Sequence, residues 1–207
     1  MLRRSFIMVL AFATCGLAAC QERDTHEEEA ARLATLLSWK PGSVVAEIGA
    51  GEGQMTLAAA RRVGAAGRVY TTELDAKKLA HLEELAAKDQ NIIALTAAAT
   101  GTNLPPECCD SIFMRLVYHH LTKPAEIDAS LFRSLKAGGL LAVIDEEPIA
   151  GMSLPEGVPE NRGGHGIPQK LLVEELTAAG FQVVTQIAPW ADWPSHNHCY
   201  CVVFRKP

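Results

Sequence analysis

A buried strand that runs into a glycine-rich turn and then a helix constrains this chain more than any other feature. The stretch is Val44 to Thr56, V-V-A-E-I-G-A-G-E-G-Q-M-T, with Glu47 near the strand end and Gly49, Gly51 and Gly53 alternating through the turn. Glycine takes positive φ readily and lets a ligand approach without meeting a Cβ. A nucleotide-like ligand can therefore lie against the loop and the helix N-terminus behind it. The spacing discriminates between ligands. A dinucleotide fingerprint, G-x-G-x-x-G, requires glycine where the chain has Gln54.

From that point the chain alternates. Strands are expected at about 44–48, 68–73, 92–96, 110–115, 139–145, 181–188 and 198–205, and helices near 54–63, 75–88, 124–135 and 168–179. Such alternation implies a parallel sheet with helices on both faces. Lys40-Pro41-Gly42 breaks the chain before the first strand, and Gly138-Gly139 and Gly180 end helices. The 207 residues suffice for one domain and are too few for two comfortable ones.

The start of the chain carries an address. Arg3 and Arg4 precede an apolar run from Ser5 to about Ala19, shorter than the roughly 20 residues of a membrane-spanning helix. This is the pattern of a secretory signal peptide. It ends in Leu17-Ala18-Ala19-Cys20, which resembles a bacterial lipobox, so Cys20 is expected as a lipidated mature N-terminus. The expected division is signal peptide over 1–19, polar and acidic tether over 20–29, and globular domain over 30–207. The protein is thus expected to be exported and lipid-anchored at the bacterial cell envelope, with its domain outside the cytoplasm. Cys15 leaves with the signal. Cys108, Cys109, Cys199 and Cys201 remain, too close together in pairs to make a disulfide scaffold. A net charge of −5 with no long basic run excludes a general attraction to nucleic acid.

Further along, Gly67 to Asp75, G-R-V-Y-T-T-E-L-D, reads as a strand ending in Glu73. A carboxylate there can accept both hydroxyls of a ribose. With these two segments in hand, the E-x-G-x-G-x-G turn resembles the first motif of class I S-adenosylmethionine (SAM)-dependent methyltransferases. Asp110 to Leu121, D-S-I-F-M-R-L-V-Y-H-H-L, resembles their fourth strand and the loop bordering the methyl group, and Leu135 to Asp145 resembles their fifth strand. The chain also resembles exported, predicted SAM-dependent methyltransferases that share V-Y-H-H and a C-terminal V-F-R-K. The resemblance covers about residues 30–207. It implies a Rossmann-like α/β fold, a seven-stranded mostly parallel sheet with the last strand antiparallel. It also implies SAM as cofactor and methyl transfer to a small-molecule acceptor. The implied cofactor contacts are Glu47, Gly49, Ala50, Gly51, Gly53, Glu73, Leu74, Thr100 and Arg115, with Tyr118, His119 and His165 as catalytic candidates.

One departure stands out. After the third strand the family usually carries an acid that accepts from the adenine amino group. Here Thr96 to Thr102 holds no carboxylate, leaving Thr100 or backbone groups to take its place. Losing a charged acceptor in a buried site weakens binding by about 1.5–3 kcal/mol. Because SAM is made in the cytosol and this chain is expected outside it, a binding protein without catalysis on the same scaffold is a second expectation.

Topology adds a histidine rim. An antiparallel last strand starts where the parallel strands end, and ligands bind outside that edge. Five of the seven histidines fall there: His119, His120, His165, His196 and His198. Trp190 and Trp193 are placed to wall the same pocket, and Gly163-Gly164-His165-Gly166 is expected as a flexible loop. Imidazoles suit general-base work near neutrality, and His165 is the first choice as base or substrate ligand. A metal-binding His/Cys rim is a third reading, since His196 and His198 share one strand face and Cys199 and Cys201 the other. No metal ligand is assigned, and the cysteine pair is expected to be buried packing.

Overall fold

The computed structural model describes residues 13–149, 151–190 and 198–207, with backbone alone for 13–24. A helix, α1 (Ala13–Leu36), precedes the sheet. The chain then runs β1 (Val44–Ile48), α2 (Gln54–Val63), β2 (Arg68–Glu73), α3 (Ala76–Lys88), β3 (Ile92–Thr96) and β4 (Cys109–Arg115). It continues through α4 (Pro124–Ser134), β5 (Leu135–Glu146), α5 (Gln169–Ala178), β6 (Gln182–Ile187) and β7 (Cys199–Arg205). One sheet holds all seven strands in the order β3-β2-β1-β4-β5-β7-β6. Strands β1 to β5 pair in parallel, and β7 lies antiparallel to both β5 and β6. This is the Rossmann-like architecture expected from the alternation and the resemblance. The elements fall within a few residues of their expected places. The largest shift is in β5, which begins at Leu135 because that residue pairs with Cys109 across a bulge.

Side chains alternate between the two faces with the strand period of two. Ala46, Ile112, Met114, Leu141 and Val143 enter one core, under α4 and α5. Val45, Phe113, Ala142 and Ile144 enter the other, under α1 and α2. The strand order reverses between β1 and β4, so the crevice where ligands bind in such sheets opens at their carboxyl ends.

The segment over 20–29, expected as a tether, lies within α1, and its last residues are part of the domain. Glu27 pairs with Arg61 and Arg62, and Glu29 and Ala30 are buried. The reason is one carboxylate with two partners. Glu29 Oε2 accepts from Arg115 Nε at 2.7 Å, and Oε1 accepts from Trp190 Nε1 at 2.7 Å. The Arg32 guanidinium stacks 4.0 Å from the centre of the Trp190 ring. An acidic stretch thus docks because arginines and the buried Trp190 N–H await it. The signal segment over 1–12 lies outside the described residues, as does the side chain of Cys20.

Candidate cofactor site and histidine rim

At the crevice lies a cavity of about 470 Å³. Seven of the nine expected cofactor residues line it: Glu47, Gly49, Ala50 and Gly51 from the turn, Glu73 and Leu74 from the end of β2, and Arg115 from the end of β4. Gly51 has φ +56, and a Cβ there would meet nothing within 4 Å, so this stretch of backbone faces open space. Gly53 does not line the cavity. A Cβ there would fall 2.7 Å from Leu85 and 2.9 Å from Leu82, so this glycine lets α2 and α3 approach. Thr100 is also displaced from the lining. It is exposed on a tight turn closed by the Ala98–Gly101 bridge, and Ala97, Ala98, Gly101 and Thr102 line the cavity instead.

Two carboxylates organise the floor. Glu73 Oε2 accepts from the Gly51 N–H at 2.9 Å, while Oε1 accepts from the N–H groups of Leu74 and Asp75 at 2.8 and 3.2 Å. The strand-end acid therefore holds the glycine turn in shape. Glu47 is 4 % exposed and accepts a hydrogen bond from the Thr56 hydroxyl, which in turn lies 2.9 Å from that of Thr71. Burial pushes the Glu47 carboxyl up to about 8, and the Thr56 donor and the Arg115 charge only partly oppose it. A cationic group arriving beside Glu47 would relieve that cost.

The loop after β4 separates three neighbours that the sequence had grouped. Tyr118 to His120 form a 3₁₀ turn, in which successive side chains fan out about 120° apart. Tyr118 consequently points into the core and does not border the cavity, contrary to expectation. Its hydroxyl donor serves Asp128 at 2.9 Å and Glu175 at 3.0 Å, and fully buried Arg162 pairs with Glu175 at 2.7 Å. Burial raises the Tyr118 phenol far above its usual range and lifts Asp128 to about 7. Tyr118 is an anchor for the turn. His119, buried at 2 % exposure, also lies off the cavity lining, whereas exposed His120 belongs to it.

Asp145, at the end of β5, fixes His119. It is fully buried, with Oδ1 2.6 Å from His119 Nδ1 and Oδ2 accepting the His119 backbone N–H at 3.1 Å. A carboxylate at Nδ1 keeps the proton there and leaves Nε2 as the lone-pair nitrogen. The glycine loop that carries His165 is pinned to the strand, not free. Ile149 N–H donates to His165 O and Ile167 N–H to Glu146 O, each at 2.8 Å. A Cβ on Gly166, at φ +101, would fall 2.8 Å from Glu146 O. The pinning brings His165 into the cluster, with ring centroids 4.1 Å apart for His119–His120, 4.8 Å for His119–His165 and 5.5 Å for His120–His165. Desolvation and the neighbouring imidazoles lower the pKa of His120.

The other rim residues are elsewhere. Trp190 is buried under Arg32 and does not line this cavity, while His196 and Trp193 lie outside the described residues. Cys199 and Cys201 are buried free thiols, raised by burial to about 11 and about 12, which agrees with a packing role. Two contributors escaped the sequence reading of the site: His26, which lines the cavity from α1, and Asp145; His120 was placed on the rim without an assigned role. Asp145 carried a usable signal, an acid closing a hydrophobic strand at the ligand edge. His26 carried none, because nothing local says that α1 folds back over the crevice.

Comparison with known proteins agrees with this geometry. A family described as "Methyltransferase domain" matches residues 46–143, from the middle of β1 into β5. No curated protein shows a significant match to the chain. Among solved structures, a SAM-dependent methyltransferase from Aquifex aeolicus superposes with a TM-score of 0.70 at 22% identity, covering 86% of this chain and 89% of that one. The [4+2]-cyclase SpnF superposes with a TM-score of 0.69 at 17% identity, covering 87% and 81%. A possible exported protein from Bordetella parapertussis gives 0.66 at 17% identity, covering 90% and 68%. Residues 46–143 thus match the methyltransferase domain family, and the chain around them has the fold of class I SAM-dependent methyltransferases, whose cofactor is SAM.

Proposed function

We propose that this protein is a SAM-dependent methyltransferase acting on a small nucleophile, held to the bacterial envelope by lipid on Cys20. The observation that carries the reading is the open face of Gly51, flanked by one carboxylate suited to a ribose and another suited to an ammonium group. Glu47 would receive the amino end of the cofactor and Glu73 the ribose, with Leu74, Ala97 and Ala98 around the base. Bound SAM supplies a methyl group on a sulfonium, already activated toward attack. What remains for the protein is positioning and exclusion of water, which can supply roughly 7–11 kcal/mol. The histidine rim stands beside this cavity, with His120 in its wall and His165 behind it, on the side left for the acceptor.

The acceptor is taken as a small molecule because the chain has a net charge of −5 and no long basic run to attract nucleic acid. Among the described residues no helix is long and apolar enough to cross a membrane. Attachment in this proposal rests on Cys20 alone. A second reading, a protein that binds an adenosyl ligand without turnover, is motivated by the proposed export, since SAM is made in the cytosol and the signal-like start with Cys20 points outside it. Incubation with methyl-labelled SAM and a panel of small thiols, amines and phenols separates the two. Label transfer that falls about 10²–10⁴-fold in His120→Ala or His165→Ala, at unchanged SAM affinity, supports the enzyme. SAM binding with no transfer to any acceptor supports the binder.

A further inference from the structure

We propose that His119, His120 and His165 form a divalent transition-metal site, of the kind that takes zinc, at the acceptor end of the cavity. Their ligand nitrogens lie within 4.8 Å of one another. Four-coordinate zinc holds imidazole nitrogens at about 2.0–2.1 Å, which sets them about 3.3 Å apart. The cluster is therefore open by about 1.5 Å relative to a filled tetrahedron. His120 is exposed and His165 only half-buried, so both can close that gap by side-chain rotation. Imidazole ligands suit zinc, copper, iron and nickel and disfavour magnesium and calcium.

Two further observations point to a metal rather than to three unrelated rings. The first is His119 Nε2, which is buried and has no hydrogen-bond partner among the described residues. A buried polar nitrogen without a partner is costly, and a metal ion would satisfy it. The second is the carboxylate behind it. Asp145 holds the opposite nitrogen at 2.6 Å, and its own position is fixed by the backbone N–H groups of His119 and Glu146 at 3.1 and 2.8 Å. This carboxylate–histidine pair is the arrangement that orients metal-bound imidazoles and raises their basicity. Glu146 adds negative charge 4.0 Å from His165 Nε2.

Three protein ligands leave a tetrahedral ion one open position, as in catalytic rather than structural zinc sites. Because His120 belongs to both the cluster and the cavity wall, the site adjoins the cavity. The ion would there bind an acceptor thiol or hydroxyl directly and lower its pKa. This last step rests on the proposed methyl-transfer reading; the metal site itself does not.

The test is metal binding by the full chain, measured without any methyl acceptor. Apo protein is titrated with zinc against a chelator of known affinity, and with cobalt followed by visible absorption. The expected result is about one ion per chain, with a tetrahedral cobalt spectrum that changes when a simple thiol is added. His165→Ala and His120→Ala should each lose most of the affinity while SAM binding, measured by calorimetry, is retained. Asp145→Asn should weaken the metal about 10–100-fold with the three ligands in place. His119→Ala opens a buried site and risks misfolding, so the His120→Ala and His165→Ala variants carry the decision. Wild type that binds no more zinc or cobalt than the His120→Ala and His165→Ala variants would overturn the site. Loss of SAM binding in wild type with metal binding intact would instead strike the methyl-transfer reading alone.

Discussion

Glu47 holds its proton in the folded protein up to a pH of about 8, whereas its ordinary value is 4.5. Burial is the main cause. Thr56 donates to it, Arg115 draws the value down, and the charges of Glu29 and Glu73 push it up. Between those two pH values the native state binds more protons than the unfolded chain, so stability must fall as pH rises. One full proton corresponds to about 1.4 kcal/mol per pH unit. Asp128, raised to about 7, adds to the same slope, so the informative quantity is a difference between variants. Denaturant unfolding of apo protein from pH 5 to 8 should show a decline that is clearly shallower in Glu47→Gln. A cationic ligand group beside Glu47 favours the ionised form, so saturating SAM should flatten the wild-type slope as well. Equal slopes in the two apo proteins would mean that Glu47 is not proton-bearing in the fold.

At the scale of elements, α1 decides whether the crevice is finished. Glu29 bridges the end of β4 through Arg115 and the segment after β6 through Trp190, and His26 reaches the cavity from the same helix. Glu29→Ala leaves both partners short of an acceptor. The expected loss is about 3 kcal/mol, at the low end for a broken buried pair because Arg115 keeps some solvent. Thermal melts should show it as a drop of several degrees, with weaker SAM binding because Arg115 lines the cavity. The same helix sets the reach of the proposed anchor. Glu27 is already tied to Arg61 and Arg62, so only the residues from Cys20 to His26 separate lipid from domain. Even fully extended they span no more than about 25 Å, which keeps the cavity close to the bilayer. Cys20→Ser should move the protein from the membrane fraction to the soluble one; sedimentation of that variant with membranes would remove the anchor. None of this docking could be read from an acidic, polar segment. Its partners lie 34 residues and more away along the chain, the nearest being Arg61 to Glu27.

For the whole molecule, the sheet and its crevice were legible because they follow from repeating local signals. Strand-sized apolar runs alternate with helical ones, glycine breaks separate them, and the topology of such chains places the ligand edge. Glu47 and Glu73 sit on those strands and Gly51 on the turn after β1, and all three line the cavity. The rim was only half legible. That Tyr118 turns inward and His120 outward depends on one 3₁₀ turn, and that His165 joins them depends on a loop pinned to β5. Sequence spacing does not encode either. Every role proposed for the crevice requires a cofactor lying against Gly51. Calorimetric titration of the full chain with SAM tests that most directly, comparing wild type with Gly51→Val, whose branched side chain would project into the open cavity. The account predicts saturable one-to-one binding in wild type and its loss in the variant, with the helical circular dichroism of the two proteins alike. Absence of SAM binding in wild type, or equal affinity in a folded Gly51→Val protein, would contradict it.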